Sequence, residues 1–139
     1  DTRISHEEQA AAIVFGTIGQ DDPEFGLTEL EVEGQTLLVG LQQHTPGQKR
    51  RLRIPARDVS ICREKPLDSS ILNIIPVTLN EIQAEGSARI LLRLALGSQH
   101  LLARITRKSA SRLQLKVGDQ LFAQIKSAAL LMDSADHHE

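Results

Sequence analysis

The stretch ILLRLALGSQHLLARI, residues 90–105, decides how the chain is read. Ile90, Leu92, Leu94 and Leu96 fall on one side of an extended chain and Arg89 and Arg93 on the other, the period of two that a half-buried strand needs. Gly97-Ser98 interrupts the pattern and His100 to Ile105 is aliphatic again, so the segment reads as a hairpin. Upstream, Glu85-Gly86-Ser87 is a turn and Ile74 to Gln83 a further strand. Downstream, Thr106 to Leu113 is polar with scattered small residues and holds at most a short helical turn. Lys116-Val117-Gly118-Asp119 is then a tight turn leading into a last strand from Gln120 to Leu131.

The first half of the chain repeats this plan. Leu30 and Val32 alternate with Glu29, Glu31 and Glu33, Gly34-Gln35 interrupts, and Thr36 to Leu41 is aliphatic. After the turn residues His44-Thr45-Pro46-Gly47, Leu52, Ile54 and Ala56 alternate with Arg51, Arg53 and Arg57. LTELEVEGQTLLVGL (27–41) parallels the hairpin at 90–105, with Gly34 matching Gly97, and RLRIPARDVSI (51–61) parallels LFAQIKSAAL (121–130). A repeat of roughly 65 residues built from short strands and Gly turns predicts an all-β fold, a tandem of two small OB-like β-barrel modules with at most short helical turns. The expected segmentation is a linker or disordered stretch at 1–10, a first β module at 11–64, a second at 65–131 and a disordered tail at 132–139. The join falls near Glu64-Lys65-Pro66. Modules this small have little core of their own and are expected to pack against each other or a second chain.

Composition narrows the function. Sixteen Lys and Arg against 18 Asp and Glu give a net charge of −2, without the basic excess of a nucleic-acid binder. Three Phe, with no Tyr and no Trp, leave no stacking platform for bases or sugars. The single cysteine, Cys62, has no thiol to pair with, which fits a reducing compartment. No apolar run is long enough to cross a membrane as a helix. The chain begins at Asp1 and its only methionine is Met132, so it is expected to be a piece of a longer protein.

No phosphate-binding loop, dinucleotide fingerprint, zinc-protease motif or nucleophile elbow is present, and no catalytic residue is assigned. Cys62 reads as a small hydrophobe despite the neighbouring Arg63. His6, His44, His100, His137 and His138 are scattered, and no metal-ligating set is assigned. The run Lys49-Arg50-Arg51-Leu52-Arg53 reads as the solvated face of a strand. What remains are small anion-binding groups: Ser69-Ser70 before a strand, Thr106 and Ser109 after Ile105, and Lys126-Ser127 on the last strand. Hydroxyls, one ammonium and free turn N–H groups suit a compact oxyanion.

The order of SSILN (69–73), the Leu-Gly-Ser-Gln turn, ITRKSASRLQLKVGDQL (105–121) and FAQIKSAALL (122–131) resembles the Mop or TOBE domain of molybdate-handling proteins. The first half, ending in RIPARDVSI, resembles the segment that precedes this domain in the ATP-binding subunit of bacterial molybdate importers. The resemblance covers about Ala11 to Leu131. It implies a tandem of OB-like (TOBE/Mop) barrels, paired as a homodimer, holding molybdate or tungstate at or near the subunit interface. By position, Ser69, Ser70, Asn73, Thr106, Ser109, Lys126 and Ser127 would bind the oxyanion. Leu72 stands where several family members carry an Arg facing the anion, and loss of that bidentate donor is expected to weaken binding by ~1–3 kcal/mol. Arg57-Asp58 takes the place of Lys126-Ser127 in the first module, where Asp58 would repel an oxyanion, so that module is expected to be structural.

The function implied is a regulatory oxyanion-binding and dimerisation domain of a molybdate import ATPase. Its parent would work with a membrane permease at the cytoplasmic face of the bacterial inner membrane, without direct membrane insertion and without nucleic acid. The chain itself is expected not to be an enzyme, the ATPase part lying upstream. The competing reading is a purely structural dimerisation or docking module that binds no oxyanion.

Overall fold

The hairpin at the centre of the sequence forms with Leu94 opposite Leu101 and Leu92 opposite Ala103, and all four side chains are buried. The computed structural model describes residues 10–41 and 44–131. Its strands are β1 (Ala11–Asp22), β2 (Leu27–Val32), β3 (Gln35–Gly40), β4 (Lys49–Pro55), β5 (Val59–Cys62), β6 (Asn73–Glu85), β7 (Arg89–Leu96), β8 (Gln99–Thr106), β9 (Gln120–Ile125) and β10 (Ala129–Leu130). A 3-10 turn, Ala56–Asp58, joins β4 to β5, and one helix, α1 (Arg107–Leu113), follows β8. The all-β expectation with short helical turns holds. The expectations for residues 1–9 and 132–139, including His6, Met132, His137 and His138, fall outside the described residues.

The sheets do not follow chain order. One runs β10-β4-β1-β2-β3 and the other β5-β9-β6-β7-β8. Each half of the chain thus lends its fifth strand to the other half's sheet. Val59 to Cys62 pair with Ile125 to Phe122, and Ala129-Leu130 pair with Arg53-Leu52. The buried aliphatics of both halves form a single cluster, from Val14 and Leu30 through Leu52 and Val59 to Leu92, Leu121 and Ile125. Burying that shared face against water is what holds two small sheets in one body.

Three expectations are corrected, and one strand is added: Ala11–Asp22, which carries no clean alternation, forms the twelve-residue β1. Its outward Ile13 and Phe15 are apolar and Gly16 and Gly19 interrupt it, so the alternation is blurred. Arg50 is not on a solvated face. Only 6% exposed, it shares the inner face with Leu52 and Ile54 and donates from Nη2 to the Leu131 carbonyl at 2.7 Å. The last strand is broken, because the chain leaves its sheet after Ile125 to reach β4, so Lys126 and Ser127 lie in the connection and not on a strand. Finally, Val32/Gln35 and Leu96/Gln99 flank the two hairpin turns. Glu33-Gly34 therefore corresponds to Gly97-Ser98, and the two glycines sit one position out of register. Glu33 takes the left-handed φ of 52° that glycine supplies in the other turn.

Candidate functional site

Asn73 is the first residue of β6 and anchors the connection that arrives from β5. Its carboxamide reads the backbone of Leu38 in β3 from both sides: Nδ2 donates to the Leu38 carbonyl and Oδ1 accepts from the Leu38 N–H, both at 2.8 Å. This clamp draws the residue 70–73 segment over the first half of the chain. It encloses a cleft of about 350 Å³ between Leu27 and Leu38 on one side and Ser70, Leu72, Ile125 and Lys126 on the other.

The cleft gathers donors that meet no protein acceptor among the described residues. Ser69 Oγ accepts from the Ile71 N–H at 3.1 Å, a local turn that shapes the loop. Among the described residues, neither the Ser70 hydroxyl nor the N–H groups of Ser70 and Leu72 meet an acceptor. No described carboxylate lies within ion-pair distance of the exposed Lys126 ammonium. The Leu72 side chain occupies the rim, 65% exposed, and adds no polar atom to that backbone N–H. The Asn73 carboxamide, engaged with Leu38, positions the loop rather than presenting a free face.

Ser127 lies beside the cleft and donates from Oγ to Asp58 Oδ2 at 2.6 Å, and the Lys126 N–H donates to the Asp58 carbonyl at 2.8 Å. Asp58 is brought there by the strand exchange, because the β4–β5 and β9–β10 connections run side by side. Sequence reasoning placed Asp58 in the first module only. Nothing local could have signalled this neighbour, since the contact joins segments from opposite halves of the chain.

Thr106 and Ser109 do not line this cleft. Thr106 is the N-cap of α1, accepting from the Ser109 N–H at 3.0 Å and donating to Ser109 Oγ at 3.0 Å. It pairs with Arg89, which pairs with Glu85 at the far end of β6 from Asn73. The seven expected residues thus fall into two groups at opposite ends of the second sheet.

A second groove of about 420 Å³ is lined by Arg63, Pro76, Thr78, Gln120 and Phe122, none of them an expected site residue. Its one cation is already neutralised. The Arg63 guanidinium donates to the Leu113 and Gln114 carbonyls at the end of α1 and to Asp119 Oδ2 at 2.9 Å. The Lys116 N–H, and then Arg63, hold the Asp119 carboxyl below its ordinary value. Cys62 is half-buried on β5, and burial pushes its thiol up, as a small hydrophobe rather than a reactive thiolate would behave. His44, with its side chain 1% exposed, is held by Asp21 Oδ1 at 2.9 Å and is a core histidine. Among the described residues no helix is long and apolar enough to cross a membrane.

Residues 69–132 match the TOBE domain family. The chain is 45% identical over 129 residues to molybdenum import ATP-binding protein ModC 2 of Azotobacter vinelandii, covering 92% of the chain and 36% of that relative. It is 42% identical over 132 residues to molybdenum import ATP-binding protein ModC of Hahella chejuensis, covering 94% of the chain and 37% of the relative. The chain therefore spans about a third of the length of the curated relatives it matches. The 139 residues contain no G-x-x-x-x-G-K-[ST] phosphate loop. In fold it is similar to the cytoplasmic molybdate-binding protein ModG in a molybdate-bound crystal form, with a TM-score of 0.70 at 19% identity over 87% of this chain and 95% of that one. Residues 69–132 are thus similar to a TOBE domain, and the chain as a whole to about a third of the molybdenum import ATP-binding proteins.

Proposed function

We propose that the cleft between Leu38 and Lys126 binds a tetrahedral oxyanion, molybdate or tungstate, and that its occupancy regulates an ATP-binding importer subunit of which this chain is a part. The observation that carries the reading is the convergence of donors without acceptors: the Ser70 hydroxyl, the N–H groups of Ser70 and Leu72, and the unpaired Lys126 ammonium. A compact dianion accepts many hydrogen bonds at once and suits such a set. The molybdate-related names of the relatives and of the similar structure support the choice of anion.

Thr106 and Ser109 belong to the same site only if a second copy supplies them, because one chain holds them at the opposite end of the sheet. A homodimer in which the α1 end of one protomer faces the cleft of the other would bring Thr106 and Ser109 to the same ligand as Ser70 and Lys126. In the intact importer, docked on its permease at the cytoplasmic face of the inner membrane, oxyanion binding would favour one arrangement of the paired domains. The attached ATPase would be biased by the difference in affinity between the two arrangements.

A structural dimerisation module without a ligand is the second reading. It is favoured by the apolar share of the lining, Leu27, Leu38 and the exposed Leu72. Calorimetric titration with molybdate, sulfate as control, and the mass in solution separate the two. Micromolar molybdate binding by a dimer, lost in Lys126→Ala, supports the sensing domain. A dimer that ignores molybdate leaves the structural clamp.

A further inference from the structure

The two connections that exchange strands between the sheets touch at one point. The first leaves β4 at Pro55, makes the Ala56–Asp58 turn and enters β5 at Val59. The second leaves β9 at Ile125 and reaches β10 at Ala129. Where they meet, Ser127 Oγ donates to Asp58 Oδ2 at 2.6 Å, and the Lys126 N–H donates to the Asp58 carbonyl at 2.8 Å. A serine hydroxyl has one proton to donate, and here it goes to a carboxylate, the stronger, charge-assisted kind of hydrogen bond. Among the described residues, no cation lies within ion-pair distance of Asp58. An uncompensated negative charge is therefore fixed one residue from the free Lys126 ammonium that lines the cleft.

We propose that Asp58, a residue of the first half of the chain, is a built-in competitor of the oxyanion and sets how tightly the second half's cleft binds it. The inference rests on the oxyanion reading above. A dianion that uses Ser127 must take that hydroxyl from Asp58 and approach a carboxylate of like charge, and both terms oppose binding. Asp58 does not line the cleft itself, so it acts on affinity through Ser127 and through its charge, not by holding the ligand. The strand exchange is what makes a first-half residue an affinity determinant of the second half.

The test is calorimetric titration with molybdate of the chain, of Asp58→Ala, of Asp58→Asn, and of Ser127→Ala alone and combined with Asp58→Ala, with melting curves for each. Asp58→Ala frees the hydroxyl and removes the charge, and is expected to tighten binding about tenfold, equivalent to ~1.4 kcal/mol. Asp58→Asn removes the charge but keeps an acceptor for Ser127, and is expected to gain less. Ser127→Ala should change affinity less than about twofold in the native background yet take back most of the gain in the Asp58→Ala background, a coupled cycle. Molybdate binding seen only after Asp58 is replaced would support the proposal most strongly. Binding that is unchanged or weaker in folded Asp58 variants, or an additive cycle, overturns it while leaving the oxyanion site standing. No molybdate binding by the chain or by any variant overturns both.

Discussion

Asn73 and Leu38 exchange two hydrogen bonds of 2.8 Å, one donated by the Leu38 N–H to Asn73 Oδ1 and one donated by Asn73 Nδ2 to the Leu38 carbonyl. The amide thus acts as one more strand residue at the edge of β3. Gln99 does the same for Phe15, accepting from its N–H at 2.7 Å and donating to its carbonyl at 3.0 Å. Two second-half amide side chains therefore complete the hydrogen bonding of first-half strands, where an unmet backbone group would be costly. Asn73→Ala leaves both Leu38 groups unpaired and is expected to destabilise the chain by about 1–3 kcal/mol. Asn73→Asp keeps the acceptor but faces the Leu38 carbonyl with a second oxygen, and should also destabilise. Urea denaturation of the two variants checks this, and native stability in Asn73→Ala would show the clamp to be incidental.

Glu33 gives the interface between the hairpin turns a pH dependence. Its carboxylate accepts from the Ser98 N–H at 2.9 Å, from Gln99 Nε2 at 3.0 Å and from the Ser98 hydroxyl. The Ser98 N–H first, and then Gln99, hold its carboxyl below the ordinary value of 4.5. A carboxyl lowered on folding adds stability that is present above that ordinary value and is lost as pH falls through the lower folded one. Denaturation measured from neutral pH down to below 4 should show an acid loss that is smaller in Glu33→Gln. An identical acid limb in the two proteins would assign the loss to other carboxylates, with Asp119 the first candidate.

Gly16 is a packing glycine. A methyl there would sit 2.7 Å from Leu30 Cγ, 2.8 Å from Val32 Cγ2 and 2.9 Å from the Glu31 carbonyl oxygen. Leu30 and Val32 are fully buried and the third neighbour is backbone, so none can move away cheaply. Gly16→Ala is expected to destabilise by about 1–3 kcal/mol through overpacking. The melting temperature reads this directly, and it should fall.

Leu72 can be tested by gain. It is 65% exposed at the rim of the cleft, so replacement disturbs no core packing. Leu72→Arg would add a bidentate donor beside Lys126 and is expected to raise molybdate affinity by ~1–3 kcal/mol, about fivefold to a hundredfold. Titration with molybdate and sulfate checks both the gain and its selectivity.

The exchanged strand has a remote signature. A chain ending after Ala128 lacks β10, and β4 then loses its outer neighbour across Arg53 and Leu52. Hydrogen exchange at the β4 amides should quicken while the β7–β8 hairpin keeps its protection. Uniform quickening throughout would mean that the sheets open together.

Alternation and turn residues in the sequence alone determined that β2, β3, β7 and β8 are extended and pair as two hairpins. Leu30/Val32 and Ile90 through Leu96 point inward as their spacing requires, because the face of a strand residue depends on nearest neighbours only. Ser70 and Lys126, which line the candidate cleft, could also be named from the sequence, by type and by resemblance. Tertiary structure decided the rest. It put β5 and β10 in each other's sheets, buried Arg50 on an inner face, set Asp58 against Ser127, and placed Thr106 and Ser109 at the far end from Lys126. These are long-range pairings between backbone edges. Every edge offers the same N–H and C=O groups, so the alternation that says which way a side chain points is silent about which strand lies beside it.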